Sequence, residues 1–406
     1  MELSVHSLPN GIRIVHQQTT SAVAHCALFM DTGSRDESSA EWGYAHFVEH
    51  ILFKGTKKRN AYHILSRMED VGGELNAFTT KEETCLHTSF LPRHLPRAME
   101  LLSDMVFHHQ FTERSLASER EVILDEINSC KDNPSDLIFD EFDQGVFPGH
   151  PLGHPILGTR HTLRTLNREK ILSFIARHYT TDRMVFASVG PVPFRSVLHY
   201  AGRFLATIPP RTGAPPRERF TGYQPFFKEV RKHTHQVHCL LGSPGYDQHH
   251  PNRYGLFLLT NLLGGPGMNT RLNMALRERN GFSYNVEASY TPFTDTGICT
   301  LYFSTDKERL ERSRDIVFKE LHKLREQPLG TLQLSKAKQQ LTGQLAIGYE
   351  SLEHQMLSIG KSMLVFGNVE PMCEVYRKIN EISSGQLIGI ARDIFRQDAL
   401  SQLIYQ

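Results

Sequence analysis

The chain has 406 residues, 39% hydrophobic and 22% charged, and Lys+Arg 45 against Asp+Glu 44 leaves a formal net charge of +1. That length exceeds one ordinary core and predicts two domains, while the balanced charge argues against nucleic acid or an anionic membrane as principal partner. The six cysteines are scattered with no C-x-x-C pair, and the longest apolar run, around Leu256 to Leu263, is too short to span a bilayer; a soluble, cytoplasmic protein with reduced thiols is expected.

Along the chain, Ser7-Leu-Pro-Asn-Gly-Ile-Arg-Ile-Val15 reads as a turn running into a strand, so no signal or transit peptide is expected ahead of it. A strand over Val23–Met30 precedes a helix built around His46-Phe47-Val48-Glu49-His50. At roughly 100° per residue, His46, Glu49 and His50 share one sector, and Tyr44, Ala45, Phe47, Val48, Ile51 and Leu52 fill the rest. One face packs; the other presents two imidazoles and a carboxylate in the inverted H-x-x-E-H order, in which the two His bind zinc and the Glu handles protons. With 22 His in the chain, the motif alone is also compatible with a solvated helix face.

Amphipathic helices are expected over Asn60–Val71 and Pro96–His108, with Leu65, Met68, Leu101, Leu102 and Met105 in the core. Asn60 suits an N-cap and Pro96 a first helical position. Gly72-Gly73 predicts a turn, and Asn76-Ala77-Phe78-Thr79 and Thr84–Phe90 predict strands. A helix at 113–130 has Leu116, Ile123 and Ile127 on its apolar side, with Glu119 and Glu126 at the edge. Carboxylates so near a core need a partner, which a metal or a ligating His would supply. A catalytic zinc takes three protein ligands and leaves a position for water, but the pattern does not choose among Glu113, Glu119, Glu121 and Glu126. The two histidines of the loop His150–Gly158 are read as turn residues rather than a second metal site.

Ile208-Pro-Pro-Arg-Thr-Gly-Ala-Pro-Pro216 is an extended spacer that divides the chain into similar halves. Val23–Met30 corresponds to a strand at 236–242, and aligning Gly43 with Gly255 sets His46, Glu49 and His50 against Leu258, Asn261 and Leu262. The expected architecture is α+β: two structurally duplicated domains, each a mostly antiparallel sheet packed with helices. The first, over 1–208, would bear the metal; after a linker at 209–216, the second, over 217–406, is a repeat without metal ligands.

Further strings tie these pieces together: Leu8-Pro9-Asn10-Gly11, Gly33-Ser34-Arg35-Asp36-Glu37, Ile51-Leu52-Phe53-Lys54-Gly55-Thr56, Glu119-Arg120-Glu121-Val122-Ile123-Leu124-Asp125-Glu126, and the two Pro/Gly segments of 150–158. With His46–His50 they resemble the pitrilysin-type zinc peptidases, on the branch that includes mitochondrial processing peptidase and its small bacterial relatives, over nearly the whole chain. The resemblance implies that His46, His50 and Glu126 hold one Zn²⁺ per subunit, that Glu49 is the general base, and that Glu119 orients a ligand. It implies that Arg277 and Tyr284, beyond a glycine-rich loop at Gly264–Leu272, donate hydrogen bonds to substrate backbone and oxyanion; on spacing alone they read as a surface charge and a wet hydroxyl. That loop departs from the family pattern, with Pro266 among the glycines and Asn269-Thr270 where serines are commoner, which puts its flexibility in question. Asn76, Ala77 and Phe78 would lie on a sheet edge to which a substrate peptide adds, although core packing of Phe78 is equally compatible. The implied assembly is a homodimer whose enclosed chamber admits peptides or unfolded segments; the competing readings are a non-catalytic peptide-binding or structural subunit and a purely structural zinc site.

Overall fold

In the computed structural model, residues 3–232 and 234–406 are described. Strands β1 (Leu3–Ser7), β2 (Arg13–Gln18), β3 (Ala24–Met30), β4 (Glu74–Thr79), β5 (Thr84–Phe90) and β6 (Met184–Gly190) form one sheet, in the order β1-β2-β6-β3-β5-β4. Strands β7 (Phe227–Val230), β8 (Val237–Gly245), β9 (Val286–Pro292), β10 (Gly297–Thr305) and β11 (Ser401–Tyr405) form another, in the order β7-β11-β8-β10-β9. β1 aside, the two orders superimpose pairing for pairing. Each has one parallel pair, β2 with β6 and β7 with β11, and is otherwise antiparallel. The two-domain α+β architecture with a duplicated fold is therefore present.

The α-helices, in chain order, are α1 (Tyr44–Leu52), α2 (Ala61–Glu69), α3 (Leu95–Phe107), α4 (Glu113–Asp132), α5 (Pro134–Val146), α6 (Arg160–Thr165), α7 (Arg168–His178), α8 (Phe194–Phe204), α9 (Arg253–Gly264), α10 (Leu310–Glu326), α11 (Thr331–Tyr349), α12 (Leu352–Phe366), α13 (Met372–Glu381) and α14 (Ser384–Ile394). Asn60 caps α2 by accepting from the His63 N–H. On α2 the buried pair is Ile64 and Met68, whereas Leu65 is 44% exposed, which corrects its expected core position. The stripe that meets the core has i, i+4 spacing, and Leu65 is one step of about 100° around from it.

The chain folds into two units. The first holds the residues up to Asn128, His154–Arg217 and Ile347–Glu370; the second holds Ser129–Gly153, Glu218–Ala346 and Pro371–Gln406. One of the five passages between them follows the proline-rich segment; the other four are not marked in the sequence. Their reason lies in the sheets. β6 and β10 are buried at every position, so both faces need cover. In the first unit, Cys26, Leu28 and Phe186 pack with α1 and α3, while the alternate residues Ala27, Phe29, Val185 and Ala187 pack with Met356, Ile359 and Met363 of α12. α12 approaches closely because residue 360 is glycine: a Cβ there would lie 2.1 Å from the Phe29 ring. In the second unit Ile138, Phe142 and Val146 of α5 cover Leu240, Tyr302 and Leu403. Each half of the chain thus lends one helix to the other's sheet. Where the chain leaves the first unit, the half-buried guanidinium of Arg217 is held by Asp36 at 2.9 Å, Asp31 at 2.8 Å and the Glu82 carbonyl at 2.7 Å.

Candidate metal centre

The site starts at the head of α1. Gly43 adopts φ 92°, a left-handed conformation that only glycine takes at low cost, and the buried Glu37 carboxylate accepts from the Gly43 N–H at 2.8 Å and the Ala45 N–H at 2.6 Å. These are helix-terminal donors that would otherwise be orphaned. Burial nevertheless holds Glu37 well above the usual carboxylate range, against the effect of the two N–H donors. Beyond this cap, Tyr44, Ala45, Phe47, Val48, Ile51 and Leu52 are buried and His46, Glu49 and His50 are only partly so. Packing fixes the helix and leaves that face available.

α4 lies so that Leu116, Glu119, Ile123, Leu124 and Ile127 are buried. Glu113 and Glu121 are exposed, which leaves them as solvated acids. Glu126 instead faces both imidazoles: its carboxylate oxygens lie 3.7 Å from His50 Nε2 and 3.9 Å from His46 Nε2. The two rings are 4.6 Å apart, and one ligand atom from each of the three residues lies within 4.8 Å of the others. Glu119, 4% exposed at its side chain, approaches His50 Nδ1 at 3.2 Å with one oxygen and the Lys54 ammonium at 2.5 Å with the other. This turns His50 Nε2 towards Glu126.

Three observations test whether these residues fit a zinc ion. The separations of 3.7 and 3.9 Å are too long for hydrogen bonds, yet close to the ~3.4 Å between ligands held ~2.0–2.1 Å from a tetrahedral zinc. Burial, then the neighbouring His50, pushes His46 down to about 3, so at neutral pH its imidazole is uncharged and free to ligate. A carboxylate behind a ligating histidine, here Glu119 behind His50, is the support such sites use. The donor set fits.

Glu49 stands beside the group without joining it. Burial raises its pKa, while a hydrogen bond from the Thr79 hydroxyl at 2.6 Å and the nearby His50 oppose the rise. Thr79 is the last residue of β4, an edge strand that among the described residues pairs only with β5. In β4, Asn76 is exposed and Ala77 packs against the core beneath α1. The Phe78 side chain packs on the opposite face, against the cluster that includes Cys85 and Met363. A peptide on this edge would therefore meet the main chain of β4 and the exposed Asn76 rather than the Phe78 ring.

Arg277 and Tyr284 belong to the second unit. Arg277 lies in a π-helical turn, Asn273–Glu278, with its Nε 3.6 Å from Glu278, and Tyr284 is 79% exposed. π-Turns recur at functional positions. The preceding loop is fastened rather than loose: Gln340 of α11 donates to the Asn269 side chain at 3.0 Å, and the buried Thr270 hydroxyl accepts from Asn273 at 2.8 Å. The two residues that depart from the serine pattern supply these ties. In the loop at 150–158, His150 accepts from the Leu152 N–H and His154 stacks on Trp42, in keeping with a turn. Sequence reasoning missed Glu37, Lys54 and Thr79 as contributors, although each ends or lies within a string it quoted.

Comparison with known proteins follows the same lines. The family model for the insulinase family (peptidase family M16) matches residues 13–160, and that for the peptidase M16 inactive domain matches residues 165–341. The Bacillus subtilis protein called uncharacterized zinc protease YmxG is 32% identical, the match covering 98% of this chain and 97% of that protein. An uncharacterized zinc protease of Rickettsia bellii is also 32% identical, over 99% and 97%. Among solved structures, a protease from Helicobacter pylori superimposes with a TM-score of 0.93 at 18% identity, covering 100% of this chain and 99% of that one. A peptidase M16 inactive domain structure from Pseudomonas fluorescens gives 0.92 at 20% identity, over 100% and 98%. These two likenesses concern the fold.

Proposed function

Because the chain belongs to the insulinase family, peptidase family M16, we propose that it is a zinc-dependent endopeptidase acting on peptides and unfolded polypeptide segments. The observation that carries this reading is the convergence of His46 Nε2 and His50 Nε2 on the Glu126 carboxylate, with Glu49 one turn along the same helix. Relatives named zinc proteases support the metal.

In this reading His46, His50 and Glu126 hold the ion and Glu119, braced by Lys54, orients His50. Zinc, when bound, lowers the pKa of a water and polarises the scissile carbonyl. Glu49 takes the proton of the attacking water at a carboxylate oxygen and delivers it to the departing amine. Its burial suits a base that must hold a proton between those events. The Thr79 hydroxyl fixes the carboxylate. A substrate extended along the edge of β4 gains main-chain hydrogen bonds, which accept many sequences.

The remainder of the proposal is a cytoplasmic homodimer enclosing a chamber, to which Arg277 and Tyr284 supply donors for the substrate backbone and the oxyanion. Six free cysteines support a reducing compartment. Among the described residues no helix is long and apolar enough to cross a membrane. The test is cleavage of one polypeptide in folded and denatured form, alongside an unstructured fluorogenic peptide. Cleavage of the denatured form and the peptide alone, abolished by a chelator, is expected. Zinc uptake without cleavage would leave a structural metal site, and neither zinc nor cleavage a peptide clamp.

A further inference from the structure

A second cluster of side chains, also in the first unit, has no part in peptide hydrolysis as proposed. The end of α2, the start of α3, the end of α8 and the loop carrying Lys58 border a cavity of about 520 Å³. Its wall carries five cations, Lys58, Arg67, Arg93, Arg97 and Arg203, against the carboxylate of Glu100. Glu100 is already shared: Arg59 Nη2 donates to both of its oxygens, at 3.0 and 2.7 Å, and Lys58 and Arg67 pair with it at 3.7 and 3.4 Å. Among the described residues Arg93, Arg97 and Arg203 form no ion pair with a carboxylate; Arg67 reaches Glu100 through Nη2 at 3.4 Å, and its Nε is buried without a hydrogen-bond partner.

The arginines are also arranged. Arg97 Nη1 donates to the Arg67 carbonyl at 2.8 Å, which holds its fork beside the cavity, and the Arg203 guanidinium lies 5.2 Å over the Phe204 ring. Planar guanidinium forks match phosphate oxygens in pairs. α3, 13 residues long, begins at this wall, and the positive end of its dipole adds to the field. His94 lies within this cluster and accepts from Arg93 Nε at 3.1 Å; loss of solvent first, and then the charges of Arg93 and Arg97, hold its pKa below the usual value. The cations outnumber the one carboxylate of Glu100, and like charges so gathered repel one another unless a further anion joins them. The volume falls within the ~300–1,000 Å³ of small-molecule sites and exceeds what a single phosphate fills. A chain of phosphates brings several charges, each with multiple acceptor oxygens, along one open groove.

We propose that this cavity binds an oligophosphate anion through Lys58, Arg67, Arg93, Arg97 and Arg203.

The experiment is isothermal titration of the full chain with inorganic tripolyphosphate, at low and physiological salt, beside the double variant Arg93→Glu/Arg203→Glu. Both arginines are exposed, so the core is untouched, and an unchanged melting temperature and peptide-cleavage rate would verify the fold. Comparison with the variant also cancels any extraction of zinc by the probe. Each lost arginine is expected to weaken binding about tenfold or more, with a weaker salt dependence in the variant. Parallel pelleting with phosphatidylcholine vesicles, with and without phosphatidylinositol bisphosphate, separates the sources. Variant-sensitive capture by the phosphoinositide vesicles supports a lipid headgroup as the source, and tripolyphosphate binding alone supports a soluble one. Equal binding by wild type and variant, or binding of oligoglutamate without tripolyphosphate, would overturn the proposal.

Discussion

Thr79, the last residue of the edge strand β4, donates a hydrogen bond of 2.6 Å to Oε2 of Glu49 on α1. One short contact thus joins the strand on which a peptide would lie to the carboxylate that would move its protons. The strand and the helix come from different stretches of the chain, and the sheet order places β4 at the edge where both roles are possible.

Replacement of Glu49 by Gln keeps the shape and removes the base. Zinc content is expected to stay near normal while peptide cleavage falls by about 10²–10⁴. Thr79→Val tests the contact itself. The hydroxyl favours the charged carboxylate, so its loss raises the Glu49 pKa further. The acid limb of the kcat/KM profile should therefore move to higher pH. An unmoved limb would show that Thr79 does not tune this group.

Glu119 and Lys54 act on the metal through His50. Glu119→Ala is expected to weaken zinc binding about 10–100-fold, read by competition with a chromophoric chelator. Lys54→Met leaves a buried carboxylate without its cation and should weaken binding in the same direction. Lys54→Arg, which restores the charge, should recover part of the loss.

At the head of the same helix, Glu37→Ala leaves the Gly43 and Ala45 N–H groups without their partner. Each such group costs about 1–3 kcal/mol where it is buried. The pH dependence follows from burial, which holds the folded-state pKa of Glu37 above its ordinary value of 4.5. Between those two values the folded state keeps a proton that the unfolded state has lost, so this residue's contribution falls as pH rises. The stability gap between wild type and Glu37→Ala should thus be wider at low pH and narrow upwards from about 4.5. Urea midpoints at several pH values would measure it.

The exchange of helices makes a claim about folding. A fragment ending at residue 217 lacks Met356, Ile359 and Met363, and so exposes Val15, Phe29, Val185 and Ala187 of its sheet. Each of the three side chains contributes about 1.5–3 kcal/mol on burial. The fragment is expected to bind a hydrophobic dye and aggregate, and a peptide of residues 347–370 should reduce both effects. A well-folded, dye-silent fragment would contradict the role assigned to α12.

What the sequence disclosed, and what it withheld, divides along local and distant contacts. The sector of His46, Glu49 and His50 was readable because helical periodicity is local, as was the cap at Asn60. Glu119 and Glu126 stood out as acids at an apolar edge, but their separate positions behind His50 and beside both imidazoles depend on how two helices meet. The burial of β6 and β10 on both faces was not legible, since β10 mixes Thr300, Ser304 and Thr305 with its apolar residues. Nor was the identity of the helices that cover their second faces, since α12 and α5 come from the opposite halves. Leu65 was misplaced because a stripe one residue wide leaves the core-facing angle of α2 to its tertiary neighbours. Thr79 gave no signal of its own; a hydroxyl at a strand end acquires meaning only from what lies opposite.

The most direct measurement is the rate of cleavage of an unstructured fluorogenic peptide as metal-free protein is titrated with zinc. Activity that rises linearly and levels at about one zinc per chain, and that Glu126→Ala fails to develop at the same additions, is the expected result. Full cleavage without metal, or a chain saturated with zinc that cleaves nothing, would contradict the account.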